Sequence, residues 1–386
     1  MRRPTTWRTV WIGFSSLAML GLSACAPGVV GCPGETECAG GGAATGGGSA
    51  TGGGSSVGGG GSATGGGSAV GGGGSATGGG AAAGGGSATG AAGPRFIGRF
   101  DSAKRFSWSH SAIALRFTGT SLSVTLAGPV VWYEVLLDGQ RSKFQGGNGT
   151  FSLASGLTDG PHDVMVIRRQ ESFNGISTFV RFSAPETAWL PNLIPPRRLE
   201  VIGDSISAGY GNEGCPWDTN ENADLTYGAL AASEVGADLH IIAQSGIGMA
   251  KSLSNAVTMP AIYEHTFGDN ETTAWDFSKY SPQVVVINLG TNDNAAKVNT
   301  TTYKTTYGTF LNTVRGHSPD ALIYCVSDDG TLSTEVQAVV DAKADPKIKY
   351  LLLEGNGGGC DGHPDLAGHR AMADQLLAAL HADLGW

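Results

Sequence analysis

The sequence predicts two folded domains: an all-β sandwich of the jelly-roll kind, then an α/β/α domain with a five-stranded parallel sheet. Short strands of alternating apolar residues fill the stretch from about residue 95 to 188. From about residue 197, apolar strands alternate with helical stretches. The first pattern is typical of a β-sandwich, and the second is typical of a doubly wound parallel sheet. A proline-rich junction separates the two patterns.

The β-rich domain, residues 94–196, is predicted from period-two alternation of apolar residues. Asp138-Gly139 is a strong hairpin-turn signal after one of the apolar runs. The strand candidates are Ala112–Phe117, Leu122–Leu126, Tyr133–Leu137, His162–Ile167 and Thr178–Phe182.

The second domain, residues 197–386, is predicted from strands that alternate with helices. In a parallel sheet of this kind the active site lies at the carboxyl ends of the strands. The strand candidates are Leu199–Ile202, Leu239–Ala243, Val284–Leu289, Leu322–Val326 and Tyr350–Leu353, with helices at Tyr227–Val235, at Tyr303–Val314 and after His363.

The N-terminus has the features of an export signal, residues 1–24. Arginines precede a short apolar run, and Leu22-Ser23-Ala24 leads into Cys25. This pattern resembles the bacterial lipobox, in which the cysteine carries a lipid; the alternative is an ordinary signal peptide with a chance cysteine. Because Ala26 rather than an aspartate follows, nothing indicates retention at an inner membrane. We expect an exported, lipid-anchored protein at the outer membrane or cell surface.

Residues 25–93 are predicted to form a disordered tether. From Ala39 onwards this segment is almost entirely Gly, Ser, Ala and Thr, which cannot bury an apolar face. About 55 such residues have an r.m.s. reach on the order of 40 Å. The net charge is −9 and there is no basic cluster, which argues against a nucleic-acid partner.

The chain has six cysteines. With Cys25 assigned to lipid, Cys32 and Cys38 are expected to close a small loop beside the anchor. Cys360 lies three residues before His363, and its partner is either Cys215 or Cys325. Zinc is a poor alternative for these residues, because no Cys or His pairs occur at zinc-ligand spacing. Neither a metal nor a cofactor is expected.

A serine and a histidine follow the first and last predicted strands of the α/β domain. Ser205 comes directly after Gly203-Asp204, and His363 follows the last strand. Histidine can accept the serine proton near neutral pH, and Asp361 is a candidate to orient the imidazole. The predicted chemistry is nucleophilic attack by Ser205 with His363 as the base.

An oxyanion formed by that attack needs hydrogen-bond donors. The candidates are the Ser205 amide, the Gly246 amide after the second strand and the Asn292 side chain after the third. Asp204 is expected to cap the helix that begins at Ser205. Trp217, in the insertion after the serine, is a candidate to flank the cleft and bind substrate, although a core position is an equal alternative.

Four blocks of the α/β domain resemble those of the SGNH (GDSL) hydrolases: Gly203-Asp204-Ser205, Gly246, Gly290-Thr291-Asn292-Asp293 and Asp361-x-His363. The longer runs at 203–214, 275–280 and 285–293 resemble the second carbohydrate esterase family. That resemblance, over about residues 95–386, implies a jelly roll joined to an SGNH domain that removes O-acetyl groups from polysaccharides such as xylan and glucomannan.

The chain departs from the broader superfamily at one position. The usual acid lies three residues before the histidine, where this chain has Cys360, and Asp361 lies two before it. The resemblance implies that a backbone carbonyl can replace the acid. Two other functions remain open: an esterase for another acyl ester, such as lipid or peptidoglycan acetyl, and a glycan-binding lipoprotein with an inert hydrolase domain.

Overall fold

The computed structural model describes residues 88–184, 188–254, 257–268 and 272–386. The predicted export signal, Cys25, Cys32, Cys38 and most of the predicted tether lie outside these residues. Both predicted domains belong to a single structural unit.

The first domain is a sandwich of two antiparallel sheets. The larger sheet has the strand order β1-β11-β4-β9-β6-β7, with β2 also paired to β4, and the smaller has the order β3-β10-β5-β8. Apolar side chains alternate inward from both sheets and form one core between them. The strands are β1 (Ala88–Ala92), β2 (Arg95–Ile97), β3 (Arg105–Phe106), β4 (Ala112–Thr118), β5 (Ser121–Ala127), β6 (Val131–Leu137), β7 (Gln140–Gly146), β8 (Gly149–Ser155), β9 (Pro161–Arg168), β10 (Ser177–Phe182) and β11 (Trp189–Ile194).

Strand β1 corrects the predicted end of the tether. Residues 88–92 were expected to be disordered, but they pair antiparallel with β11 at the edge of the larger sheet. The Asn192 side chain donates to the carbonyls of Ala91 (3.1 Å) and Gly93 (2.6 Å). Pairing at a sheet edge uses backbone groups, so a segment of small residues can join a sheet without an apolar face of its own.

The second domain has three layers. All five strands of its sheet run parallel, in the order β13-β12-β14-β15-β16. Helices α3 and α8 cover one face, and α6 and α7 cover the other. The elements are β12 (Arg197–Gly203), α1 (Ser205–Ala208), α2 (Trp217–Asn220), α3 (Tyr227–Val235), β13 (Ala237–Ala243), α4 (Met259–Ile262), β14 (Val284–Asn288), α5 (Thr291–Ala295), α6 (Thr300–His317), β15 (Leu322–Asp328), α7 (Ser333–Lys343), β16 (Ile348–Leu353) and α8 (Leu366–Leu384).

The predicted fold class is confirmed, with a β-rich N-terminal domain followed by an α/β domain built on a five-stranded parallel sheet. Each predicted strand of the α/β domain is present, and helix α3 has the predicted bounds. No helix in the described part of the chain is long and apolar enough to cross a membrane.

Candidate active site

The predicted site residues follow the carboxyl ends of neighbouring parallel strands. Ser205 begins α1 directly after β12, Gly246 follows β13, and Asn292 lies in α5 after β14. His363 follows β16 at the far end of the sheet. The structure therefore places all four on the same edge of the sheet, as the sequence predicts.

The side chains of Ser205 and His363 are in hydrogen-bond contact. Nε2 of His363 lies 2.9 Å from Oγ of Ser205, which is 8% exposed. Partial burial lowers the pKa of His363, which favours the neutral imidazole that can accept a proton. Asp204 caps α1 by accepting from the Ile206 amide (3.1 Å), which is the role expected of it.

The backbone, not Asp361, orients the histidine. Nδ1 of His363 lies 3.1 Å from the Cys360 carbonyl oxygen, which can only accept, so Nδ1 carries the proton and Nε2 is left to accept from Ser205. Asp361 has a left-handed backbone conformation (φ 52°) in the short helical turn Cys360–Gly362. Its exposed carboxylate accepts instead from the Tyr210 hydroxyl (2.8 Å). The predicted contact between Asp361 and the imidazole is therefore wrong.

The histidine loop, residues 354–365 between β16 and α8, is attached to the insertion that follows Ser205, residues 209–226 between α1 and α3. A disulfide joins Cys215 to Cys360, and the buried Cys325 is free, which decides between the two predicted partners. The Cys360 amide also donates to the Gly211 carbonyl (3.0 Å). Glycine is required at position 211, because a Cβ there would lie 2.4 Å from that of Cys360. These contacts hold the loop that presents His363 to the serine.

Two backbone amides are available to an oxyanion. Among the described residues, neither the Ser205 amide nor the Gly246 amide has a hydrogen-bond acceptor. Gly246 has a positive φ of 74°, a conformation that favours glycine. The buried Asn292 amide donates to Asp204 (3.2 Å) and to the Ile247 carbonyl (2.9 Å). A donor role for Asn292 therefore requires one of these bonds to be exchanged for the oxyanion.

Buried carboxyl groups lie behind this edge of the sheet. Burial first, and then repulsion from Asp328, raise the pKa of Asp204. The Asp293 carboxylate accepts from the backbone amides of Met249 (2.7 Å), Ala250 (2.7 Å) and Lys251 (2.8 Å). Asp293 thus holds the neighbouring loop that carries Gly246.

An aromatic rim, formed by Phe173, Tyr210 and Trp217, borders the serine–histidine pair. The Tyr210 ring stacks on Trp217 with centroids 5.0 Å apart and lies 4.4 Å from the His363 ring. Phe173, from the sandwich, is 45% exposed and meets Trp217 edge-on at 6.2 Å. Trp217 is half-buried at the site, so the alternative of a core position is excluded.

Sequence reasoning missed Tyr210 and Phe173. An aromatic residue between two glycines, five positions after the nucleophile, was an available signal for Tyr210. Phe173 lies in a polar loop of the other domain, and no local pattern connects it to this site.

The site and the fold together define an SGNH-type hydrolase joined to a β-sandwich. Residues 96–193 match the family described as carbohydrate esterase 2 N-terminal, and residues 201–351 match the GDSL-like lipase/acylhydrolase family. A solved family two carbohydrate esterase from Clostridium thermocellum, in complex with cellohexaose, is 33% identical, with a TM-score of 0.71 over 76% of this chain and 100% of that one. The chain belongs to the second carbohydrate esterase family.

Curated relatives agree with this family. The cellulase/esterase CelE of Acetivibrio thermocellus is 35% identical over 321 residues, which are 75% of this chain and 39% of that protein. This chain thus spans well under half the length of CelE. An acetylxylan esterase / glucomannan deacetylase of Cellvibrio japonicus is 25% identical over 309 residues, which are 72% of this chain and 86% of that protein.

Proposed function

We propose that this protein is a serine esterase that removes O-acetyl groups from polysaccharides. The observation that carries the proposal is the 2.9 Å contact between Ser205 Oγ and His363 Nε2 at the carboxyl edge of the sheet. His363 takes the hydroxyl proton while Ser205 attacks the acetyl carbonyl carbon. The amides of Ser205 and Gly246 stabilise the resulting oxyanion, with Asn292 as a third candidate donor.

The tetrahedral intermediate then collapses to an acetyl-enzyme. The bond from the carbonyl carbon to the sugar oxygen breaks, and His363 passes its proton to that oxygen, which leaves as a sugar hydroxyl. His363 next deprotonates a water molecule, which attacks the acetyl carbonyl carbon. The bond from that carbon to Ser205 Oγ then breaks, acetate leaves, and His363 returns the proton to the serine oxygen. The Cys360 carbonyl holds the imidazole in the required tautomer throughout, which allows the reaction without a carboxylate in contact with Nδ1.

Two observations support a polysaccharide as the substrate. The names of the Cellvibrio relatives specify acetylxylan and glucomannan, and the Clostridium structure holds cellohexaose. The aromatic rim of Phe173, Tyr210 and Trp217 offers ring faces beside the reacting groups, and such faces stack on sugar rings. We therefore propose Trp217 as a substrate-binding residue.

The catalytic assignment is tested with 4-nitrophenyl acetate and a longer acyl ester. Ser205→Ala and His363→Ala should each lower kcat by several orders of magnitude while the fold persists. The matched control is His381→Ala, at an exposed histidine on α8, which should keep wild-type turnover. Near-wild-type turnover in the Ser205 variant would contradict the assignment, and a preference for long acyl chains would favour the alternative of an esterase for another acyl ester, such as a lipid.

The substrate class is tested with Trp217→Ala. Loss of one stacking surface should raise KM for acetylated xylan or glucomannan about 3- to 10-fold. The kcat on 4-nitrophenyl acetate, which is too small to need the rim, should stay within about 2-fold of wild type. An unchanged KM for both polymers would remove Trp217 from the substrate-binding surface.

We also propose that the chain is exported, anchored through lipid on Cys25 and divided at residues 1–24, 25–87, 88–196 and 197–386. The lipobox-like residues support the anchor, and the Gly/Ser/Ala/Thr-rich segment supports a flexible arm that reaches insoluble polymer. Mass spectrometry of the native N-terminus should find a lipid-modified cysteine, and Cys25→Ser should release the protein or stall its processing. An unmodified terminus elsewhere would show a freely secreted enzyme.

A further inference from the structure

The loop that carries Gly246 is held from two sides. On one side, Asp293 of the α/β domain accepts the amides of residues 249–251. On the other side, the sandwich domain reaches the loop just before Gly246. Its Ser172 hydroxyl donates to the Gln244 side-chain oxygen (3.2 Å).

Glu171 makes the larger contact from the sandwich. Its two carboxylate oxygens accept from Ser245, one from the backbone amide and the other from the hydroxyl. Glu171 is fully buried, and its own backbone carbonyl accepts from Arg168 of β9 (2.8 Å). The backbone of Glu171 is therefore fixed by its own domain. Its carboxylate makes two hydrogen bonds to Ser245, the residue immediately before Gly246.

We propose that Glu171 is a positioning residue of the oxyanion hole, and that the sandwich domain thereby takes part in catalysis. This inference rests on the esterase function proposed above. The peptide between Ser245 and Gly246 carries the amide that meets the oxyanion. Restraining Ser245 at both its amide and its hydroxyl sets the orientation of that peptide. An oxyanion donor contributes fully only when it is held in place before the reaction, and a shift of about 1 Å can cost about 100-fold in rate.

A second carboxyl group explains how Glu171 can be buried here. Glu221 is 1% exposed, and no N–H or O–H of another described residue reaches its two carboxylate oxygens. It interacts directly with Glu171, and burial raises the pKa of Glu171 to about 7. Burial first, and then repulsion from Glu171, raise the pKa of Glu221 well above its ordinary value. A proton shared by the two carboxyl groups supplies the donor that Glu221 lacks.

The surroundings of this pair do not neutralise it fully. Arg168 at the end of β9 and the adjacent Arg169 attract its negative charge, whereas Asp204, beside the nucleophile, repels it. Burial first, and then Asp361, raise the pKa of the Tyr210 hydroxyl to about 12, and the negative charge of the two glutamates adds to this shift. One shared proton thus reduces the negative charge close to the place where the oxyanion forms.

The test compares Glu171→Ala with Glu171→Gln. Glutamine can restore both contacts, because its oxygen accepts from the Ser245 amide and its amide donates to the hydroxyl. We expect Glu171→Ala to lower kcat on 4-nitrophenyl acetate about 10- to 100-fold with KM changed less than about 3-fold, and Glu171→Gln to stay within about 5-fold. Equal kcat in wild type and Glu171→Ala, or an equal loss in both variants, would overturn the proposal.

A stability effect is separated from positioning by a control and a milder variant. Tyr263→Phe removes a hydrogen bond (2.8 Å) to Glu200, another buried carboxylate, which is not in the contacts that hold Ser245. It should lower Tm and leave kcat unchanged. Ser245→Ala, which removes only the hydroxyl contact, should fold and lower kcat about 3- to 10-fold. A kcat in Ser245→Ala equal to that of wild type would count against Glu171.

A fluorophosphonate probe separates this inference from the proposed function. Its reaction forms a bond from Ser205 Oγ to phosphorus, expels fluoride and gives the serine proton to His363, so it needs no acetyl ester. If the wild-type protein is labelled but does not hydrolyse acetyl esters, the substrate assignment fails while the Glu171 proposal is still tested. Labelling of Glu171→Ala should then be slowed at least about 10-fold, and labelling at the wild-type rate would overturn the proposal.

Discussion

Tyr210 and Asp361 form a hydrogen bond of 2.8 Å that joins the insertion after the nucleophile to the histidine loop. The bond draws the Asp361 carboxylate away from the imidazole, and the Cys360 carbonyl accepts from Nδ1 in its place. Burial has the largest effect on the pKa of His363 and lowers it. The negative charge of Asp361 acts in the opposite direction and raises that pKa. Asp361 therefore acts on the histidine through its field and through Tyr210.

Asp361→Asn should accordingly be a mild change. We expect kcat on 4-nitrophenyl acetate to stay within about 10-fold of wild type, since no contact to the imidazole is lost. Removing the negative charge makes the imidazolium less stable and lowers the pKa of His363, so the acid limb of the kcat/KM profile should move to lower pH.

Tyr210→Phe is the matched control for this variant. It removes the hydroxyl that holds the carboxylate but keeps both the charge and the ring stacked on Trp217. Its acid limb should move less than that of Asp361→Asn. A loss of kcat in Asp361→Asn as large as that of His363→Ala would mean that the carboxylate orients the histidine during the reaction.

The sequence was sufficient to predict the parts of the site that depend on strand order. Ser205, Gly246, Asn292 and His363 each follow a strand of one parallel sheet, and the ends of such strands necessarily meet at one edge. Apolar runs with β-branched residues marked those strands clearly. The same reasoning predicted the helix cap by Asp204.

Details that depend on local backbone conformation could not be predicted. The direction of the Asp361 side chain follows from a single left-handed residue in a glycine-rich loop. The contact of Glu171 with Ser245 spans 74 positions and joins two domains, so no pattern within a window of the sequence contains it. Strand β1 was missed because edge pairing needs only backbone groups, which every composition supplies.

The disulfide should stabilise the fold and hold the catalytic histidine. Cys215 and Cys360 are 145 positions apart, and a native disulfide typically contributes about 2–4 kcal/mol of stability. We expect the double variant Cys215→Ser, Cys360→Ser to lose about that much unfolding free energy in urea. It should also lose part of its kcat, because the His363 loop loses its covalent tie.

Reduction supplies the control for the disulfide. A reductant should lower the stability of the wild-type protein and leave the double variant unchanged. The one described free thiol, Cys325, is buried in the core, where burial raises its pKa to about 12 and makes it unreactive. Equal stability of wild type and variant without reductant would show that the backbone contacts of Gly211 suffice.

Strand β1 defines where a shortened protein can begin. A chain that starts at residue 88 should keep full activity on 4-nitrophenyl acetate, because every described element is retained. A chain that starts at Pro94 lacks the strand that pairs with β11. It also lacks the carbonyls of Ala91 and Gly93, which accept from the Asn192 side chain. Its Tm should be lower by a few degrees, with kcat unchanged. Equal Tm values for the two chains would show that β1 adds no stability.

The carboxyl pair of Glu171 and Glu221 should make stability fall as pH rises. Burial raises the pKa of Glu171 from 4.5 to about 7, and the pKa of Glu221 is raised too. Between about pH 4.5 and 7 the unfolded chain releases protons that the folded chain retains, so the contribution of the pair is complete at low pH and is lost as pH rises through that window. Glu221→Gln keeps a neutral group that can donate to Glu171. The Tm of Glu221→Gln minus the Tm of wild type should therefore become larger as pH rises from 5 to 8.

Glu213 lies in the same insertion as Glu221, and its pKa is shifted in the opposite direction, so it provides a control. Burial raises its pKa, but hydrogen bonds from Asn222 and Arg169 outweigh that effect, and the net shift is downward. A carboxyl group whose pKa is lower in the folded protein than in the unfolded chain contributes stability at pH values above its unfolded pKa. That contribution is lost as pH falls through the folded pKa. Glu213→Gln should thus lower Tm at pH 7 and have a smaller effect near pH 4. Thermal unfolding of both variants from pH 4 to pH 8 decides the matter: parallel curves for Glu221→Gln and wild type would show that Glu221 holds no proton of its own at neutral pH.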